Sequence, residues 1–150
     1  MNSKKDEVVK NHNLGCNCSQ SIFLAYYDIF GGIKDRDTAM KLSLSFGGGL
    51  ARTQGVCGAV CGSAMLLGLK YGSVNSPTGE DIWNYHNIVR EFMKDYENIN
   101  GSIYCKDIIR CDISTPEAYS RAHDNLEKYC VNAVLSAVDL LEGKYGILEK

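Results

Sequence analysis

Apolar residues recur along most of the chain at steps of three and four positions, which is the spacing of one face of an α-helix. The clearest example is the segment 76–101, where the predicted inner face consists of Ile82, Tyr85, Val89, Phe92 and Tyr96. Runs that alternate apolar and polar residues, as a half-buried β-strand would, are hard to find. The hydrophobic pattern therefore predicts an all-α protein.

Capping residues and glycines divide the first half of this pattern into three helices. The first helix begins near Cys18 and ends at the glycines 31–32. The second is capped by Asp37 and ends at the glycines 47–49. The third covers 56–71, is apolar nearly all round and carries several small residues. Because small residues let neighbouring helices approach closely, we expect the third helix at the centre of the bundle.

Two further helices follow in the second half. One is capped by Ser76 or Thr78, and the last opens with a capping box from Ser114 to Glu117. The whole chain is predicted to be one domain, a bundle of about five helices with residues 1–13 as a frayed N-terminal segment. The predicted inward residues of the second and last helices are Ala39, Leu42, Phe46, Tyr119, Ala122, Leu126, Cys130, Ala133, Ala137 and Leu140.

Composition and charge narrow the classes of function. The 150 residues carry a formal net charge of −2, and acidic and basic residues are interleaved rather than gathered into a basic stripe. A nucleic-acid partner is therefore not expected. No apolar run reaches membrane-spanning length, and no apolar block follows the charged N-terminus as it does in a secretory signal. We predict a cytoplasmic protein without a membrane partner.

Seven cysteines in 150 residues is a high count. In a cytoplasmic chain such a count indicates metal binding or redox chemistry more often than a disulfide framework. The alternative is that each cysteine is a small apolar core residue, because free cysteine is often buried. We favour a function for the set, because several of these cysteines fall where a helix begins or a segment turns.

Cys57 and Cys61 lie one helical turn apart at the start of the third helix. Side chains at this spacing share a helix face, so two thiolates there could bind one metal ion. A continuous helix holds them further apart than is usual for a disulfide. The unpaired amides and the dipole at a helix N-terminus favour an anion. We therefore predict that the pKa of Cys57 lies below its ordinary value.

The segment "FGGGLARTQG" leads into this helix. The backbone N–H groups of Gly47, Gly48 and Gly49 can turn toward an anionic centre, and Arg52 adds a cation. These four residues are therefore candidates for binding an anionic cofactor or a thiolate. The alternative is that the glycines permit a tight corner between two helices.

Cys18, Cys57, Cys105 and Cys130 lie on four segments, each of which is predicted to turn a sulfur toward the core. Such a set could form a four-cysteine metal site, an iron–sulfur site or two dithiols. The spacing matches no compact zinc-ribbon or ferredoxin pattern. The roles of the other three cysteines stay open, namely those of Cys16, Cys61 and Cys111.

Several of these stretches together resemble the C_GCAxxG_C_C family of redox-active proteins. They are "NCSQSIF", "SFGGGLARTQGVCGAVCGSAMLLGLKYG", "SIYCKDII" and the late Cys130, and the resemblance covers residues 14–141. It implies an all-α prokaryotic protein in which four cysteines matter. In this chain those four are Cys18, Cys57, Cys105 and Cys130, and Gly58, Ala59 and Gly62 complete the central motif.

Three hypotheses follow. In the first, Cys57 is a reactive thiolate that attacks a partner, another of the four cysteines resolves the product, and the chemistry is thiol–disulfide exchange or electron transfer. The partner would be a redox protein or a small thiol or disulfide. In the second, Cys18, Cys57, Cys61, Cys105 and Cys130 supply ligands for an iron–sulfur cluster or zinc. In the third, the cysteines fill the core of a non-catalytic bundle, as a monomer or a homo-oligomer.

Overall fold

The structure is a computed structural model that describes residues 1–74 and 79–150. The helices are α1 (Lys5–Asn13), α2 (Cys18–Tyr26), α3 (Arg36–Leu44), α4 (Gly58–Tyr71), α5 (Gly79–Asn100), α6 (Cys105–Ile109), α7 (Pro116–Ser120), α8 (His123–Asn125) and α9 (Val131–Glu142). A 3₁₀ turn, Tyr27–Phe30, follows α2, and a π-helical segment, Leu126–Cys130, joins α8 to α9. Strand-like pairing within the described ranges is confined to one bridge between Val56 and Tyr104. The all-α prediction is confirmed.

The predicted number of about five helices is wrong, because α1 and α6 are additional helices and because the predicted last helix is interrupted twice. α7 ends at Ser120, and the backbone widens to a π-helix between Leu126 and Cys130. A π-helical segment contains one extra residue per turn, and the spacing of apolar residues does not reveal such an insertion. The long apolar pattern therefore concealed several short helices.

Two of the predicted N-caps are displaced. Asp35, not Asp37, caps α3 by accepting the N–H of Thr38 at 2.8 Å. Thr115, not Ser114, caps α7 by accepting the N–H of Ala118 at 3.1 Å. Both caps have the extended backbone that an N-cap requires, with φ, ψ of −133°, 149° and −124°, 158°. The predicted cap at Ser76 or Thr78 lies outside the described residues.

α4 lies at the centre of the fold, packed against α2, α5 and α9. Its glycines allow α2 to approach almost to backbone contact. A Cβ added at Gly58 would stand 3.1 Å from the Ser19 backbone nitrogen, and one at Gly62 would stand 2.9 Å from the Ser19 carbonyl oxygen. The small residues of the motif therefore serve helix packing, and this packing carries the start of α2 to the start of α4.

Three of the predicted inward residues point outward. Leu42 is 50% exposed on α3, Tyr119 is 40% exposed on α7 and Ile82 is 38% exposed on α5. On α3 the buried positions are Ala39 and Ser43. The Ser43 side chain can be buried there because its hydroxyl donates a hydrogen bond to the Ala39 carbonyl of the same helix. On α3 the apolar spacing therefore predicted Ala39 correctly, but it placed Leu42 rather than Ser43 on the buried side.

The N-terminal segment forms α1, which packs against α2 and α9. Val8 is fully buried, and Asn11 donates its amide to the carbonyl of Ser21 at 3.3 Å. No helix in the described ranges combines the length and the apolar character needed to cross a bilayer.

Candidate functional site

A short antiparallel contact brings two of the four cysteines together. The Cys57 N–H donates to the Ile103 carbonyl and the Cys105 N–H donates to the Gly55 carbonyl, each at 2.7 Å. These bonds flank the bridge between Val56 and Tyr104. Cys57, the N-cap of α4, therefore lies beside Cys105, the first residue of α6.

The contact of α2 with α4 adds the third cysteine, and the π-helical segment adds the fourth. Cys18 is the first residue of α2, and its Cβ lies 3.2 Å from the point where a Cβ on Gly58 would stand. Cys130 is the last residue of the π-helical segment, and its thiol is close enough to Cys18 to raise the pKa of that residue. π-helical insertions are frequent at functional sites, because they turn one side chain out of helical register.

The four sulfurs face one cavity of about 1200 Å³. Cys57 and Cys105 are each 5% exposed and Cys130 is 7% exposed, so the sulfurs form the inner wall of this cavity. We call Cys18, Cys57, Cys105 and Cys130 the thiol cluster. Other residues along the cavity include Cys16, Asn17, Gly47, Gly48, Arg52, Tyr119 and His123.

Two of the remaining cysteines do not line this cavity. The Cys61 thiol donates to the Val56 carbonyl at 3.7 Å, so the predicted sharing of one face with Cys57 does not bring it to the cavity wall. Cys111 lies instead at a separate pocket of about 170 Å³ together with Asp112 and Arg121.

The glycine run is divided between two tasks. Gly47 and Gly48 line the cavity, whereas Gly49 lies against the backbone of Gly55, where an added Cβ would stand 2.5 Å from the Gly55 nitrogen. Residues 48–52 all have positive φ, which is a left-handed turn that costs about 1–2 kcal/mol at each non-glycine position. This turn leads the chain into the Cys57 segment.

Arg52 lies over the ring of Tyr119, with its guanidinium carbon 3.9 Å from the ring centroid. The cation therefore has an aromatic partner at the cavity wall. Binding of an anionic cofactor by Gly47, Gly48, Gly49 and Arg52 stays a prediction.

The predicted lowering of the Cys57 pKa is wrong. Burial, together with the charge that Cys18 would carry, raises the pKa of Cys57 to about 11. The hydroxyl of Tyr96 and the amides of Ala59 and Val60 act in the opposite direction but do not compensate. Removal from water disfavours the thiolate more than a helix N-terminus favours it.

The neighbouring thiols behave in the same way. Burial raises the pKa of Cys105 to about 12 and that of Cys61 to about 11. A hydrogen bond with Cys130, together with burial, raises the pKa of Cys18 well above its ordinary value. Cys18, Cys57 and Cys105 are therefore protonated at neutral pH.

The thiols that line this cavity, those of the thiol cluster and of Cys16, are a donor type that suits zinc or an iron–sulfur cluster. In the described part of the chain, however, no group of three or more His, Cys, Asp or Glu side chains is placed to hold a metal ion. The thiols as arranged do not fit a metal site.

Two residues of the site were not predicted from the sequence. Tyr96 donates its hydroxyl to Cys57 Sγ at 3.3 Å, although its spacing marks it only as a core residue of α5. Gln54 donates to the Cys111 carbonyl at 2.8 Å and accepts the Ile113 N–H at 3.2 Å, which ties the left-handed turn to the loop after α6. No local pattern distinguishes either residue.

The fold and the site together describe an all-α protein with a buried cluster of cysteine thiols. Residues 16–143 match the model of the family described as "Putative redox-active protein (C_GCAxxG_C_C)". The chain belongs to this family, so the resemblance noted in its sequence is confirmed. No curated protein and no solved structure matches the chain.

Proposed function

We propose that the protein is a dithiol redox protein that exchanges two electrons with the disulfide of a partner. The observation that carries this proposal is that four cysteines from four separate segments line one cavity. Within it, Cys130 is close enough to Cys18 to raise the pKa of that thiol, and Cys18 in turn acts on the pKa of Cys57. Neighbouring thiols are the requirement for forming a disulfide within one chain.

The raised pKa values suggest the direction of electron flow. Strongly oxidising dithiol proteins owe their potential to a stabilised thiolate in the reduced form. Cys18, Cys57 and Cys105 lack this stabilisation, because burial favours their neutral thiols. The protein is therefore proposed to act as a reductant of disulfides.

The exchange begins with Cys57, after its thiol has lost a proton to water. The thiolate attacks one sulfur of the partner disulfide, a mixed disulfide forms, and the partner's other sulfur leaves as a thiolate. Cys18 then loses its proton and attacks Cys57 Sγ, so a Cys18–Cys57 disulfide forms and the partner's second sulfur leaves. Two protein thiols have been oxidised, and one partner disulfide has become two thiols.

The contact between Cys18 and Cys130 supports one further exchange. The Cys130 thiolate attacks Cys18 Sγ, which moves the disulfide to Cys18 and Cys130 and returns Cys57 as a thiolate. Cys57 then takes up a proton. No electrons enter or leave the protein in this step.

The position of the sulfurs restricts the partner. Because Cys57 and Cys105 are only 5% exposed at the inner wall of the cavity, a flat protein surface cannot reach them. A small disulfide, or a disulfide on a protruding loop of a redox protein, can enter a cavity of about 1200 Å³.

A disulfide map tests the proposal. Protein purified anaerobically is first analysed for iron and zinc, because a bound metal would also protect thiols. The reduced protein is then treated with an equimolar small disulfide, and linked peptides are identified by mass spectrometry. We expect the loss of two free thiols and a bond from Cys18 to Cys57 or Cys130.

Two variants act as controls for this map. Cys111→Ser should give the same bond, because Cys111 lies at a different pocket. Cys18→Ser should stop at a mixed disulfide on Cys57. A stoichiometric metal, or a reduced protein that loses no thiols, would contradict the proposal.

A further inference from the structure

Tyr96 lies beside the thiol cluster but takes no part in the proposed exchange steps. Its hydroxyl lies 3.3 Å from Cys57 Sγ, and the whole side chain is inaccessible to solvent. Cys57 lines the cavity, whereas Tyr96 does not, so the phenol reaches the sulfur from the protein interior. Tyr96 can therefore act on Cys57 without touching a bound partner.

The ring of Tyr96 is held on several sides. It stacks against Phe92, with ring centroids 6.4 Å apart, and Phe92 meets the edge of Tyr145 at 5.3 Å. The Tyr96 carbonyl accepts the side-chain amide of Asn100, which also donates to Ser136 on α9. A donor fixed in this way needs little reorganisation when charge develops on the sulfur.

Tyr96 stays a donor throughout the pH range in which thiols ionise. Burial and the charge that Cys57 would carry both raise its pKa above the ordinary value of 10.0. The groups that titrate around Cys57 are Cys18 on α2, Cys61 on α4, Cys105 on α6 and Tyr96 itself. Of these, Tyr96 lowers the pKa of Cys57, whereas Cys18 raises it.

We propose that Tyr96 is the positioning residue of the exchange, whose buried hydroxyl holds Cys57 Sγ at the cavity wall and stabilises the thiolate that attacks. This inference rests on the proposed function for its role in exchange. It explains why Cys57, and not another equally buried cysteine, makes the first attack. Hydrogen bonds to a charged acceptor are stronger than those to a neutral one, so the phenol favours the thiolate over the thiol.

The test is the pH dependence of alkylation by iodoacetamide in Tyr96→Phe, followed for each cysteine by peptide mass spectrometry. We expect the midpoint for Cys57 to rise, and its rate below the midpoint to fall about tenfold for each unit of rise. The rate for Cys105 should not fall. A purely structural role predicts the opposite sign, because loosened packing exposes thiols and accelerates their alkylation.

The chain offers a matched control in Tyr85→Phe. Tyr85 is also on α5 and donates its hydroxyl to α4, but to the Ala64 carbonyl at 3.3 Å. This variant should leave the Cys57 profile unchanged. Circular dichroism and urea unfolding establish that both variants are folded.

A second variant covers the case in which Tyr96→Phe does not fold. Incorporation of 3-fluorotyrosine at position 96 keeps the ring and makes the phenol a stronger donor, so the Cys57 midpoint should fall. An unchanged Cys57 profile in the folded Phe variant, or in the fluorinated protein, overturns the role of Tyr96.

Alkylation needs neither a partner nor a disulfide, so the two proposals fail separately. A shifted profile without any disulfide in the map would contradict the exchange and leave the hydrogen bond standing. The expected disulfide with an unchanged profile would contradict the role of Tyr96 alone.

Discussion

Two fully buried tyrosines, Tyr26 and Tyr96, each donate a hydroxyl to an acidic side chain from a distant part of the chain. Tyr26 donates to Glu142 Oε1 at 2.7 Å, in what we call the carboxylate region, where the same oxygen also accepts the Lys4 N–H. Tyr96 donates to Cys57 Sγ at 3.3 Å beside the thiol cluster. The donor is the same, but the acceptor differs.

The two acceptors titrate in opposite ways. Burial acts to raise the pKa of Glu142, but hydrogen bonds, of which those from Lys4 and Tyr26 have the largest effect, bring it below its ordinary value. Burial of Cys57 outweighs its donors, and its pKa rises. Hydrogen-bond donors therefore outweigh burial at the partly exposed Glu142, whereas they do not at the buried Cys57.

The largest expected consequence of this difference is a loss of stability in alkali that originates in the thiol cluster. The pKa of Cys57 rises from 9.0 to about 11 on folding, so its contribution is complete below pH 9 and is lost as pH rises toward 11. Cys57 and Cys105 should each lower the free energy of unfolding by about 1.4 kcal/mol for every pH unit of increase in this window. Urea unfolding between pH 7 and pH 11 measures the slope.

A matched pair of variants assigns this slope to the buried thiols. Cys105→Ser removes a thiol whose pKa is raised to about 12, so the alkaline decline should become shallower. Cys111→Ser, at the smaller pocket, should keep most of it. Equal slopes in the two variants would show that other groups cause the decline.

The next largest effect concerns the contact that assembles the thiol cluster. Gly58→Ala should lower the free energy of unfolding by about 1–3 kcal/mol, because its Cβ would stand 2.9 Å from the Phe46 carbonyl oxygen and 3.2 Å from the Cys18 Cβ. It should also slow disulfide formation, since Cys18 and Cys57 would be forced apart. Gly79→Ala is the control, because open space surrounds Gly79. Similar unfolding curves for both variants would refute the packing argument.

A smaller effect is expected in the carboxylate region. Tyr26→Phe removes one of the donors to Glu142 and should lower the free energy of unfolding by about 1 kcal/mol. Because that donor lowers the pKa of Glu142, the loss of stability on acidification below pH 4.5 should become less steep. The reactivity of Cys57 should not change, and a change there would mean that the two regions are coupled.

The smallest expected effect is the release of backbone strain in the left-handed turn, which is compared with the same substitution in an unstrained helix. Ala51 has a φ of 53°, so Ala51→Gly should raise the free energy of unfolding by about 0.5 kcal/mol, the strain relieved less the greater flexibility of the unfolded chain. The same substitution at Ala64, inside α4, should lower it by about 1 kcal/mol. A lower unfolding midpoint for Ala51→Gly would show that the turn is not strained.

The sequence by itself determined the all-α class, the central position of the helix rich in glycine and the family. Helical periodicity is a local property of the sequence. Gly58 and Gly62 likewise indicate a close contact with another helix, without showing which helix it is. The four cysteines were selected by motif, and their segments do meet at one cavity.

Only the tertiary structure decided the acidity of Cys57, the separation of Cys61 from the cavity and the contact with Tyr96. A pKa depends on how much water and which charges surround a group, and those neighbours come from α2, α5 and α6. The π-helical segment at Cys130 and the left-handed turn at 48–52 are likewise held by contacts between distant segments. The spacing of residues along the chain does not predict such contacts, because contacts and burial arise only when distant segments pack together.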